Sequence, residues 1–233
     1  MTRIASLLLL VGCASEPIEA TPCEQASTTL ERCTGEVPEG FRDACDATPD
    51  QVATAILAET DADRCPDLGR ADIGRTTFIG ACVASIHAAY WVVWARSPSS
   101  QPLSRELADQ LRPWVGDLVD TARVSWNSGL LTHWRVFGHD VVLEEDIAAQ
   151  TFGNEIFVNE TSMSASRKAS LIGHELGHVG QYRKYGGVTG FAREYCSSFY
   201  DTNFSYRDNA LEVEAYDLQG RIELCLDDGS DCL

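Results

Sequence analysis

The chain has 233 residues, with 35 acidic and 18 basic side chains and a formal charge of −17. That balance argues against a nucleic-acid partner, which would require a basic face for phosphates. Hydrophobic residues make up 44% and charged residues 23%, which excludes wholesale disorder and suits one modest domain with additions, or two small ones.

Residues 1–13 read MTRIASLLLLVGC, with one charge at Arg3 and a short apolar run over Ile4–Val11. At about 1.5 Å per residue, that run falls far short of a bilayer core of roughly 30 Å, so it reads as a secretory signal. Leu10-Val11-Gly12-Cys13 resembles the bacterial lipobox, which implies lipidation at Cys13. Residues 14–22 (ASEPIEATP) have the composition of a tether. The expected location is the bacterial cell envelope, periplasmic or at the cell surface, with the lipid as the only membrane contact.

Setting Cys13 apart leaves eight of nine cysteines, an even number that suggests disulfides in an exported chain. Five fall early (Cys23, Cys33, Cys45, Cys65, Cys82) and three late (Cys196, Cys225, Cys232). If all eight pair internally, at least one bridge joins the two regions. Residues 23–100 read as a helical, disulfide-rich region. Pro49–Glu59 is an expected helix opened by Thr48. Phe78–Ala95 is the most apolar stretch of the mature chain, yet Ser85 and His87 interrupt it and Cys82 lies within it. It reads as a buried core helix rather than a membrane span, with His87 a hydrogen-bonded core histidine. Pro98–Pro102 is a turn-rich break and the expected domain boundary.

The second region, residues 103–233, mixes helix and strand without βαβ alternation, which favours an α+β class. Ser104–Leu111 is a predicted helix ended by Pro113. Ala122–Trp126, Asp140–Leu143 and Asn154–Asn159 are predicted strands. Ser164–Tyr185 is a predicted long helix stopped by Gly186-Gly187, and a last helix over roughly residues 210–224 is capped by Asp208 or Asn209.

His174-Glu175-Leu176-Gly177-His178 is an H-E-x-x-H motif. On a helix, positions i and i+4 differ by about 40° around the axis, so both imidazoles can face one ion. Neutral imidazoles suit zinc, and Glu175 beside them can reach water rather than the metal. Leu171, Ile172, Leu176 and Val179 supply the apolar packing of a partly buried site. A catalytic zinc usually takes a third protein ligand. The pattern with a third histidine is absent, since Gln181 and Lys184 stand where it wants Gly and His. Glu212 and Glu214 both fall on the predicted last helix, on different faces, so only one can point at the metal. Glu212 is favoured, because Ala215 on its face would let that helix approach the motif helix; Glu214 is the alternative. Gln181 is placed either to orient a ligand or contact the third-ligand helix, or to lie at the surface.

The runs Ala149–Val158 (AQTFGNEIFV) and Leu171–Tyr182 (LIGHELGHVGQY) resemble the zincin-like metallopeptidase domains of bacteria, which pair a "T-x-G-N-x-I" strand with "L-x-x-H-E-L-x-H-x-x-Q". Leu111–Asp120, Arg123 and Val124 are similar to that family's lead-in helix, turn and first strand, so the resemblance covers about residues 103–218. It implies a small mixed sheet with the motif helix, and one catalytic zinc held by His174, His178 and a downstream glutamate. Glu212–Tyr216 matches the E-x-x-A-(D/Y) ligand pattern of the glutamate zincins. It further implies that Glu175 is catalytic. Two features depart from the family: residues 14–100 have no counterpart, and the stretch between His178 and Glu212 contains Cys196, which suggests a disulfide-restrained insert.

The expected activity is zinc-dependent endopeptidase hydrolysis of a peptide or protein substrate, with Glu175 as general base. The strand carrying Asn154, Ile156 and Val158 is the expected edge on which a peptide lies extended. Tyr206, Tyr216, His133 and His139 are candidates for stabilising the oxyanion. The alternative is an inactive, surface-anchored scaffold or interaction module whose zinc is structural, with four protein ligands.

Overall fold

The structure is a computed structural model and describes residues 20–34, 37, 41–42, 45, 74–132, 134–136, 139–142, 147–159 and 162–228. The signal segment with Cys13, most of the tether, the helix expected over Pro49–Glu59, and His133 lie outside the described residues. The chain is α+β. In order, the described elements are α1 (Pro22–Thr34), α2 (Arg75–Ala95), β1 (Gln101–Pro102), α3 (Arg105–Val115), α4 (Leu118–Thr121), β2 (Arg123–Trp126), β3 (Trp134–Val136), β4 (His139–Val142), β5 (Ala149–Phe152), β6 (Glu155–Val158), α5 (Ala165–Lys184), α6 (Val188–Asp201) and α7 (Ala210–Asp228).

β1, β2, β6 and β5 form a mixed sheet in that order, with β2 and β6 parallel and the other pairs antiparallel. β3 and β4 make a separate two-stranded ribbon. β5 and β6 are a hairpin whose two-residue turn starts at Gly153, φ 66°. Positive φ at the first central position is what a type II′ turn demands, and glycine supplies it without strain. The strand expected over Asn154–Asn159 is β6; the preceding residues form a further strand, β5, because Gly153 folds the run back on itself.

A correction concerns the edge. β6, which carries Ile156 and Val158, is flanked by β2 on one side and β5 on the other, so it cannot receive a peptide as a further strand. It is buried on both faces as well. Ile156 and Val158 pack toward Leu111, Ile172, Leu176 and Ile222, whereas Phe157 packs toward Phe78, Val92, Ala192 and Phe199. Phe157, between Ile156 and Val158, occupies the opposite face and so joins that second core. Asn154 sits in the turn, exposed, and its amide donates to the Thr121 carbonyl at 3.1 Å.

α2 is long and apolar enough to cross a membrane by length and composition alone. Here it packs within the protein: ten of its residues are buried, and a Cys82–Cys196 disulfide ties it to α6. A helix apolar all round needs contacts on several sides, and α1, α6 and the sheet provide them. The regions before and after the Pro98–Pro102 break therefore share one core, and Cys82–Cys196 joins an early to a late cysteine. A second bridge links Cys23 and Cys45.

α3 runs to Val115, past Pro113, and closes at Gly116, whose N–H donates to the Arg112 carbonyl at 2.9 Å. A proline so near the end removes one donor without stopping the last turn. α6 has no counterpart among the predicted helices. Its sequence opens after two glycines and is rich in aromatic and β-branched residues, a weak helix former in isolation. Burial of Phe191, Ala192, Tyr195, Cys196 and Phe199 at helical spacing stabilises it instead.

Candidate metal centre

The motif lies on α5. Ser164 caps its start by accepting a hydrogen bond from the Arg167 N–H at 3.2 Å. At its end the Gly187 N–H donates to the Tyr182 carbonyl at 2.8 Å while Gly186 takes φ 80°, a Schellman closure that needs glycine. α7 starts beside Asn209, whose side-chain oxygen accepts from the Leu211 N–H at 3.1 Å.

α5 and α7 cross where small residues meet. A Cβ added at Gly173 would collide with the Ile222 side chain, and one at Gly177 would reach the Ala215 backbone at 3.5 Å. This close approach carries Glu212 to the two histidines. His174 Nε2 and His178 Nε2 lie 3.1 Å apart, and Glu212 Oε2 is 3.5 Å from each. Two ring nitrogens that close share either a hydrogen or a metal ion between them. Ligand atoms about 2.0–2.1 Å from one tetrahedral ion stand roughly 3.3–3.4 Å from each other, so the triangle has the right size for one. All three side chains are buried, and Glu212 Oε2 has no hydrogen-bond partner within the described residues. A carboxylate oxygen buried without a donor is what a cation site leaves behind. The residues present therefore fit a metal ion.

Electrostatics match the geometry. Burial alone would lower the His178 pKa, but the Glu212 carboxylate, aided by Glu175 and Gln181, outweighs it and pushes the group up to about 9. Burial would raise the Glu212 pKa, and the two imidazoles hold it instead well below the usual carboxylate range.

Gln181 is buried rather than at the surface, and it touches both His178 and the last helix. Its Nε2 donates to the Leu211 carbonyl at 2.9 Å and to Glu214 Oε2 at 3.1 Å. Both partners are acceptors only, so the amide is turned with Oε1 toward His178 Nδ1, 2.9 Å away. Glu214 is thus exposed and engaged with Gln181, while Glu212 faces the histidines.

Glu175 is buried beside the pair, and Thr151 Oγ1 donates to its Oε2 at 2.6 Å. Tyr182 holds the same strand residue, donating from its hydroxyl to the Thr151 carbonyl at 3.1 Å. Thr151 is a functional residue that the motif helix alone does not indicate; its sequence signal is its place in the "T-x-G-N" run. These groups line a cleft of about 690 Å³, counting its open mouth. All four residues of β5, an edge strand of the sheet, line it too.

Of the oxyanion candidates, Tyr206 faces the cleft. Tyr216 sets its ring against His174, with centroids 4.5 Å apart, at the surface. His139 is stacked on Phe204 at 3.6 Å, inside the aromatic packing of the α2 side and away from the cleft. His87 bonds Thr189 at 3.1 Å between Nε2 and Oγ1. Tyr195, which the sequence did not single out, also lines the cleft and bonds Glu212. Burial, then the nearby Glu212 charge, raises the pKa of both Tyr195 and Tyr206, so each keeps its O–H at neutral pH.

A family model described as the eCIS core domain matches residues 137–186, which include β5, β6 and the motif helix. The chain has no significant match among curated proteins or solved structures.

Proposed function

We propose that the chain is a zinc-dependent peptidase in which His174, His178 and Glu212 hold the ion and Glu175 is the general base. The observation that carries this reading is the convergence of three buried donor atoms in a cleft that Glu175 shares. The match over the motif helix adds support, since the eCIS core family is described as related to zincin-like metallopeptidases. Two imidazoles and one carboxylate, without a thiolate, are a donor set that suits hydrolytic zinc. His174, His178 and Glu212 are the donors grouped among the described residues, and zinc held by three side chains would keep a position for water, which favours the enzyme over a scaffold with closed structural zinc.

A bound zinc ion supplies Lewis acidity to a carbonyl oxygen and lowers the pKa of water beside it. Glu175 takes the proton of the attacking water and returns it to the leaving amine. Thr151 keeps Oε2 of Glu175 in place, leaving the other oxygen for that exchange. The substrate backbone lies along the outer edge of β5, the strand that replaces β6 in this role. Tyr206, which lines the cleft, is the candidate donor to the developing oxyanion, because the single O–H of Tyr195 is engaged with Glu212.

The test is Glu175→Gln in the zinc-loaded protein. The variant keeps its zinc and loses peptide cleavage by roughly 10²–10⁴-fold. Cleavage at the parent rate would overturn the reading.

We also propose that Cys13 carries a lipid that anchors the exported chain to a membrane of the cell envelope, on the motif at residues 10–13. Cys13→Ser then moves the protein from the membrane to the soluble fraction; an unchanged membrane fraction contradicts it.

A further inference from the structure

We infer that the cleft selects peptides with a bulky apolar side chain beside the scissile bond, and that α2, a helix outside the matched residues 137–186, builds the selecting wall. The inference rests on the peptidase reading. Ile86 and Ala89 are three residues apart on α2, hence on one face, and both line the cleft that holds the metal donors. Phe152 of β5, Phe191 of α6 and Ile147 complete an apolar recess around them. Apart from Glu175, the two histidines and Glu212, no ionisable acid or base of the Asp, Glu, Lys, Arg or His type lines the cleft among the described residues.

A charged substrate side chain entering that recess would leave water for a wall of Ile86, Ala89, Ile147, Phe152 and Phe191, none of which offers it a polar side-chain partner. A bulky apolar side chain buries its own surface and that of the recess together. The recess is also preformed. Cys82 lies one helical turn before Ile86, and Cys196 follows Phe191 on α6, so a single disulfide fixes both sides of the opening. Tyr90 packs on Phe152 with ring centroids 5.6 Å apart, holding the strand side to the same helix. Preformed apolar walls discriminate by size without an ordering cost. Ala89, 3% exposed, has the smallest side chain among the recess residues, so it sets the depth.

The experiment uses the zinc-loaded full chain and peptides that differ at one position beside the cleaved bond: Phe, Leu, Ala, Asp or Lys. The parent prefers Phe and Leu over Ala by roughly 10–200-fold, the discrimination apolar pockets achieve. Ala89→Leu fills the recess and shifts the preference to Ala with zinc content unchanged. Ile86→Ala widens it and raises the rank of the largest side chains; this variant decides the matter if Ala89→Leu fails to fold. Binding of the same peptides to Glu175→Gln gives a readout free of turnover, with the Phe peptide bound more tightly than the Ala peptide. A Lys or Asp preference, or an apolar preference that Ile86→Ala leaves unchanged, overturns the inference. If the Phe peptide binds selectively but the parent cleaves nothing, the peptidase reading fails and the recess stands. Cleavage indifferent to the side chain means the reverse.

Discussion

His178 Nδ1 and Gln181 Oε1 lie 2.9 Å apart, and this contact fixes which nitrogen of the imidazole faces Glu212. With its amide turned by Leu211 and Glu214, Gln181 offers only an acceptor, so Nδ1 must hold the proton. Nε2 is then the nitrogen whose lone pair a metal can use. A partner of this kind orients the ring and raises its basicity.

Gln181→Met keeps the volume and removes the acceptor. Zinc affinity should fall by roughly 10–100-fold, the usual consequence of losing such a partner, and nitrogen NMR of His178 should show a loss of its single tautomer. A competition titration giving the parental affinity would refute the orienting role.

Thr151 anchors Glu175 from the edge strand β5. Hydrogen bonds to charged groups contribute about 1.5–3 kcal/mol, so Thr151→Val should slow turnover by roughly 10–100-fold. KM and zinc content should change little, and Thr151→Ser should recover most of the rate. An effect on zinc content equal to that on turnover would mean that Thr151 supports the fold rather than the base.

The raised pKa of His178 has a defined consequence for metal uptake. Its ordinary value is about 6.5, and beside Glu212 it is pushed up to about 9, so without metal the ring keeps its proton through neutral pH. The ion must displace that proton. Apparent zinc affinity should therefore rise with pH up to about 9 and level off above it, with close to one proton released per ion at pH 7 in calorimetry across buffers. Affinity independent of pH between 7 and 9 would contradict the pairing with Glu212.

Cys82–Cys196 spans 114 residues and staples α2 to α6. Replacing both cysteines with alanine should lower stability by about 2–4 kcal/mol in urea unfolding of the oxidised protein. A midpoint equal to the parent's would show that buried contacts alone hold the two helices together.

The motif helix was legible because its signals are local. Ser164 opens it, Gly186-Gly187 closes it, and i, i+4 spacing alone sets His174 and His178 on one face. Glu212 was legible at one remove, through Ala215 and the small residues it meets on α5. The features that escaped are nonlocal. β6 is interior because β2 and β5 both pair with it, and no residue within Glu155–Val158 encodes those partners. α6 is a helix because α2 covers its aromatic face, and its own propensity gives no such indication. Ile86 and Ala89 reach the cleft only through that same packing, across a boundary drawn where the chain turns at Pro98–Pro102.

Metal analysis of the parent, Glu212→Ala and Glu214→Ala, each loaded with zinc and dialysed, tests the convergence of two imidazoles and Glu212 most directly. The parent and Glu214→Ala should retain one zinc per chain, and Glu212→Ala should lose it while still folding. Retention by Glu212→Ala, or no zinc in the parent, would contradict the account.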